Sequence, residues 1–150
     1  MFKSILIATD GSKNSEIAGK AGIELARLSG GKVTILYVVD VGKFISPAGL
    51  ISPFGGVSPE AVDTVLAGIR EVGNKATLQM DELARASGVA SERLIVEGNP
   101  PTEILKIAED KQIDVIVIGS IGKTGLEKFL MGSVAEKVVH SSKLPVLVVR

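Results

Sequence analysis

Apolar residues along this chain keep two alternating rhythms. Short runs dominated by Ile, Leu and Val occupy residues 4–8, 33–39, 93–96, 114–119 and 146–149. Short apolar runs of this kind read as strands buried on both faces. Between them the apolar positions recur at helical spacing. Ser12 is placed to cap a helix whose apolar face is Ile17, Ala21, Leu25 and Leu28 and which ends at Gly30 and Gly31. Ser58 and Pro59 restart regular structure as N-cap and first helical residue. That helix is predicted to run to about Ser87, with Val62, Leu66, Ile69, Ala76, Met80 and Leu83 as its core stripe and Gly88 as its stop. A turn at residues 97–101 leads into a short helix over 102–111 with Ile104, Leu105 and Ala108 inward, and a last helix covers about 134–141. Strands separated by helices predict an α/β fold, a three-layer α/β/α sandwich around a five-stranded parallel sheet. Residues 1–150 are expected to form one domain.

One stretch keeps no period. Residues 40–57 hold Pro47, Pro53 and four glycines among Phe44, Ile45, Leu50, Ile51 and Phe54. A long apolar loop in a compact domain reads as a lid, a partner surface, a mobile flap, or a loop folded back over the core.

Composition narrows the classes. The chain is 45% hydrophobic but only 3% aromatic, so its core is aliphatic, as in parallel sheets covered by helices. Lys and Arg number 17, as do Asp and Glu, for a formal net charge of zero, which sets nucleic-acid binding aside. There is no cysteine, hence no thiol chemistry. The first apolar run is too short for a signal peptide, and no segment is long enough to cross a membrane. A cytoplasmic protein with no membrane partner is the resulting expectation.

Candidate chemistry concentrates between Ile118 and Val134, in the text I-G-S-I-G-K-T-G-L-E-K-F-L-M-G-S-V. A strand, a loop containing Gly119, Gly122, Gly125 and Gly132, and a helix N-terminus together form an anion cradle. Glycines admit a ligand to the main chain, and the first helical N–H groups have no internal partner. Ser133 with Glu136 also has the form of a capping box, which would make the same glycine and serine a plain helix start. The Gly122-Lys123-Thr124 triplet is not a P-loop, because Val117 stands where that motif requires glycine. Asp10 ends the first strand at the edge where open α/β sheets bind ligands, and reads equally as a capping aspartate or a ligand contact. A flavodoxin-type phosphate loop is excluded there, since Asp10 would repel a phosphate. His140 has no second histidine to partner it and reads as a surface residue near a helix C-terminus.

The spacing Gly119, two residues, Gly122, nine residues, Gly132-Ser133 resembles the ATP-binding pattern G-x2-G-x9-G-[S/T] of the universal stress protein family, and the likeness extends along the whole chain. The resemblance implies a Rossmann-like adenine-nucleotide-binding fold of strand order 3-2-1-4-5. It implies a nucleotide-binding set of Ala8, Thr9, Asp10, Val38, Ile118, Gly119, Gly122, Lys123, Gly132, Ser133 and Val134. In it Asp10 and Ala8 flank the nucleoside, main chain near Val38 reads the adenine edge, Gly119 and Gly122 admit ribose and phosphates, and the amides of Gly132, Ser133 and Val134 with the Ser133 hydroxyl hold the phosphates. Lys123 and Lys128 add charge or are simply solvated. Magnesium or manganese would ride on the phosphates, without a protein metal site. The resemblance further implies a homodimer through the strand Val146–Val149 and a regulatory role in stress response, read out by a protein partner. Slow ATP hydrolysis and a nucleotide-free interaction module are the alternatives. No catalytic residue is assigned; Asp10 and Glu127 are the two candidates for orienting a nucleophile.

Overall fold

The computed structural model describes residues 1–45, 58–121 and 131–150. Five strands, β1 (Ser4–Thr9), β2 (Lys32–Asp40), β3 (Ala90–Gly98), β4 (Val115–Gly119) and β5 (Val146–Val149), form one parallel sheet in the order β3-β2-β1-β4-β5. The pairing is in continuous register, with Ile5 opposite Val33 on one side and Val115 on the other. The helices are α1 (Lys13–Ser29), α2 (Gly42–Ile45), α3 (Pro59–Ala86), α4 (Pro100–Asp110) and α5 (Ser133–Ser141). The expected fold class and strand order are those of the structure.

Alternation along the central strands divides the core in two. Ile5, Ile7, Val33, Ile35, Val115 and Val117 face α1 and α3. Leu6, Ala8, Leu36, Ile116 and Ile118 face α4 and α5. Each fully buried aliphatic side chain contributes about 1.5–3 kcal/mol. At the opposite edge from the carboxyl ends, the Asp114 carboxylate takes the amides of Lys3 and Ser4 at 2.7 and 2.9 Å, stapling the starts of β1 and β4 together.

Three sequence expectations shift. In α1 only part of the expected face turns inward: Leu25 packs against the core, but Ile17 and Leu28 are 44% and 70% exposed. The buried side is Ser15, Ala18, Gly19, Gly22, Ile23 and Ala26. The sheet supplies the bulk here, so the helix must supply small residues to sit close. In α3 the expected stripe is only half-buried except for Met80, and the buried line is Gly73, Thr77, Met80, Asp81 and Ala84. The segment read as irregular from residue 40 begins with the end of β2 and the short α2; residues 46–57 lie outside the described residues.

The carboxyl end of β2 owes its position to Gly73. Tyr37 turns its buried ring under α3, and a Cβ on Gly73 would lie 2.5 Å from the ring. Gly68, about one and a half turns earlier in the same helix, has nothing within 4 Å of such a Cβ. Both substitutions to Ala gain helix propensity of about 1 kcal/mol. Gly68→Ala should therefore raise the urea midpoint, whereas Gly73→Ala, facing an overpacking cost of about 1–3 kcal/mol, should lower it. Shifts of the same sign would show that Tyr37 does not set the α3–β2 distance.

Candidate functional site

The carboxyl edge of the sheet carries the site. β1 ends at Thr9, and the next six residues are fixed by short-range hydrogen bonds. Gly11 N donates to Thr9 Oγ1 at 3.1 Å, and Ser12 N donates to Asp10 Oδ1 at 2.9 Å. Ser12 caps α1 by accepting from Ser15 N at 3.2 Å, and the Ser15 hydroxyl lies 3.0 Å from Thr9 Oγ1. Local bonding of this kind is what Ser, Thr and Asp offer a helix start. It holds Asp10 at the mouth of the crevice between β1 and β4, where the strand order reverses.

On the other side of that crevice, β4 ends at Gly119 and α5 begins after Gly132. Ser120 joins the two: its N–H donates to Val149 O at 2.8 Å and its carbonyl accepts from Gly132 N at 2.6 Å. Gly132, extended at φ −62° and ψ 152°, is the N-cap, and its carbonyl accepts from Glu136 N at 2.9 Å. The capping box expected from Ser133 and Glu136 is therefore not formed. The helix starts one residue early, Ser133 becomes its first helical residue, and no side chain caps α5. The amides of Ser133, Val134 and Ala135 find no acceptor among the described residues.

Between these walls lies a cavity of about 510 Å³. That volume is in the range of sites for molecules of cofactor size. Its apolar walls are Leu36, Val38, Ile104 and Ile118. Polar groups enter from three sides: Asp10 and Tyr37 from β1 and β2, Asp40 and Lys43 from the end of β2 and α2, and Ser133 from α5. Asp40 and Lys43 stand 3.8 Å apart. Of the residues expected at a nucleotide site, the structure places Ala8, Thr9, Asp10, Val38, Ile118, Gly119, Gly132, Ser133 and Val134 around this one cavity. Gly122 and Lys123 lie outside the described residues, as do Gly125, Glu127 and Lys128. His140 is exposed in the last turn of α5, away from the cavity lining.

Sequence reasoning missed four contributors. Tyr37, the one tyrosine in the chain, precedes Val38 and reads as core. Asp40 and Lys43 fall in the stretch read as loop. Asn14, in the first turn of α1, accepts the Ile121 amide at 3.1 Å. Its carboxamide also occupies the space a side chain at Gly119 would need. Gly119 thus has a reason to be glycine that lies within the protein, besides the ligand approach expected of it. Among the described residues no helix is long and apolar enough to cross a membrane, and no three His, Cys, Asp or Glu side chains gather to hold a metal.

The sequence model of the universal stress protein family matches residues 1–150. The chain belongs to the universal stress protein family. Universal stress protein MJ0531 of Methanocaldococcus jannaschii is 39% identical, over 100% of this chain and 83% of the relative. Universal stress protein MJ0577 of the same organism is 38% identical, over 100% of this chain and 96% of its own. The solved structure of MJ0577 superposes with a TM-score of 0.83 at 34% identity, covering 99% of this chain and 96% of that one. The universal stress protein of Archaeoglobus fulgidus in complex with dAMP superposes with a TM-score of 0.64 at 25% identity and covers both chains fully.

Tyr37 gives this universal stress protein an internal probe of the cavity. Burial of the ring, and then the Asp10 charge, push its phenol above the ordinary value of 10.0. The folded state thus holds this proton more tightly than the unfolded chain. Its contribution to stability is complete below pH 10 and declines as pH rises through the folded-state value. An alkaline absorbance titration of the single tyrosine should show a midpoint above 10.0, and Asp10→Asn should lower it without restoring the ordinary value. A midpoint unmoved by Asp10→Asn would mean that the carboxylate does not act on the ring.

Proposed function

We propose that this chain is an ATP-binding regulatory protein of stress response, with ATP lying across the carboxyl edge between β1 and β4. The observation that carries the reading is the start of α5. Helices α1, α3 and α4 each receive a side-chain cap, from Ser12, Ser58 and Asn99. Helix α5, whose first residues Ser133, Val134 and Ala135 line the cavity, receives none. Its leading amides and dipole are the groups that bind phosphate at helix N-termini. Adenine fits the apolar wall of Val38, Leu36 and Ile118, and Asp10 serves the ribose side. Ser133, Val134 and Gly132 serve the phosphates, together with Gly122 and Lys123. Magnesium or manganese would be held through phosphate oxygens and water. The adenine nucleotide dAMP bound by the Archaeoglobus relative supports the same ligand class.

The test is to denature the purified protein and identify what it releases. ATP near one per chain supports a switch with slow or absent turnover. ADP or AMP would favour hydrolysis and direct attention to Asp10 and Glu127. No released nucleotide, with no heat on titrating ATP, would overturn the reading. Ser133→Ala should weaken ATP more than adenosine, while stability stays within about 0.5 kcal/mol, because the hydroxyl caps nothing. A uniform loss for both ligands would remove the hydroxyl from the phosphate end.

The same reading includes a two-fold dimer through β5, with a further protein partner reading the nucleotide state. β5 is an edge strand, and Leu147 on it is 40% exposed. Pairing with a second copy is one way to cover such an edge. Light scattering over a concentration series should give a dimer that Leu147→Lys converts to monomer; a wild-type monomer at high concentration would refute it.

A further inference from the structure

We propose that Asn14 is a positioning residue for the nucleotide site, fixing the backbone of residues 119–121 against the turn that carries Asp10. The role rests on the nucleotide reading of the cavity.

The argument begins with where Asn14 is held. It is the second residue of α1, and the network of Thr9, Gly11, Ser12 and Ser15 fixes the backbone on both sides of it. An Asn in a first helical turn often serves its own helix. Here Ser12 already does so, which leaves the carboxamide for a distant group. Its Oδ1 accepts from Ile121 N at 3.1 Å across 107 positions of sequence.

Among the described residues the partner segment has few other anchors. Ser120 N goes to Val149 O and Ser120 O to Gly132 N. Among the described residues, Asn14 supplies the one side chain that bonds to the backbone of residues 119–121. Since Ser120 also holds the N-cap of α5, the Asn14 bond sits one residue from the group that places the α5 amides. Without it the Ile121 N–H loses its acceptor, and a part-buried amide without a partner reorients toward water. The turn presenting Asp10 and the segment placing α5 would then cease to be one rigid unit.

Gly119 enters the same device. A methyl group there overlaps Asn14 Oδ1, and it also meets the Asn14 backbone carbon at 3.3 Å. The carboxamide is the movable part, so Gly119→Ala should expel it and break the bond to Ile121. Gly119 and Asn14 then act as one unit, and their substitutions should not add.

The experiment is a double-mutant cycle on the full chain, read by calorimetric titration with ATP and with adenosine and by amide hydrogen exchange. Asn14→Ala and Gly119→Ala should each weaken ATP about tenfold, the scale of one hydrogen bond. Adenosine, which lacks phosphates, should lose less. The double variant should also stand about tenfold below wild type rather than the hundredfold of independent sites. Exchange at Ile121 should accelerate in all three variants while Ile7 and Val117 in the sheet stay protected. Asn14→Asp, which keeps an acceptor oxygen, should restore Ile121 protection. If Asn14→Ala fails to fold, Asn14→Ser, too short to reach Ile121, carries the same comparison. Additive losses would mean that Gly119 serves the ligand directly, and would overturn the coupling. Unchanged ATP affinity in Asn14→Ala would overturn the role while the cavity reading stands. A wild-type protein that takes up no adenine nucleotide would overturn both.

Discussion

Ile5, Leu6, Ile7, Ile116 and Val117 are removed from water entirely. Successive residues of a strand point to opposite faces, so β1 and β4 need cover on both sides. Helices α1 and α3 supply one layer and α4 and α5 the other. The chain builds β1, β2 and β3 outward in one direction, then returns past β1 to build β4 and β5. That reversal places α1 and α5 on opposite faces of neighbouring strands, and their N-termini part at the carboxyl edge. The crevice between β1 and β4 is thus a consequence of covering the most buried strands. No separate element has to be added to make it.

What fills the crevice is decided at helix starts. A helix leaves its first N–H groups without internal acceptors, and a side-chain cap usually takes one. Ser12, Ser58 and Asn99 do this for α1, α3 and α4. For α5 the N-cap is glycine, whose own amide is spent on Ser120. Among the described residues the leading α5 donors are thus left without an acceptor, where a concave wall excludes part of the solvent. The polar groups of the opposite wall are assigned by contrast: Asp10 takes the Ser12 amide, and Thr9 and Ser15 satisfy each other.

The fold was readable because its signals are periodic and redundant: runs dominated by Ile, Leu and Val, separated by Ser, Asn, Gly and Pro at helix ends. Where the reading of α1 went wrong, the cause was contact distance. A helix seated on Ile7 and Val117 needs Ala18 and Gly22 inside, so large apolar residues mark the inner face only in part, Leu25 packing inward while Ile17 and Leu28 stay exposed. Gly119, Gly132 and Asp10 line the cavity because they sit at element ends, where sequence position and spatial position coincide. Tyr37, Lys43 and Asn14 carry no such mark. Their roles come from which strand lies beside which, and the hydrogen bond from Ile121 to Asn14 spans 107 residues with no local spacing to betray it.

Charge then gives the cavity a direction. Asp10 stands at the β1 end and the uncapped amides of α5 at the other. Two like charges 4 Å apart repel by about 4 kcal/mol at an effective dielectric of 20, so an anionic group is unwelcome beside Asp10. Among the described lining residues Lys43 is the one cation, and Asp40 stands 3.8 Å from it. Among the described residues, the groups at the α5 end that favour negative charge are main-chain dipoles. For a ligand with one apolar and one anionic end, only one orientation satisfies both walls.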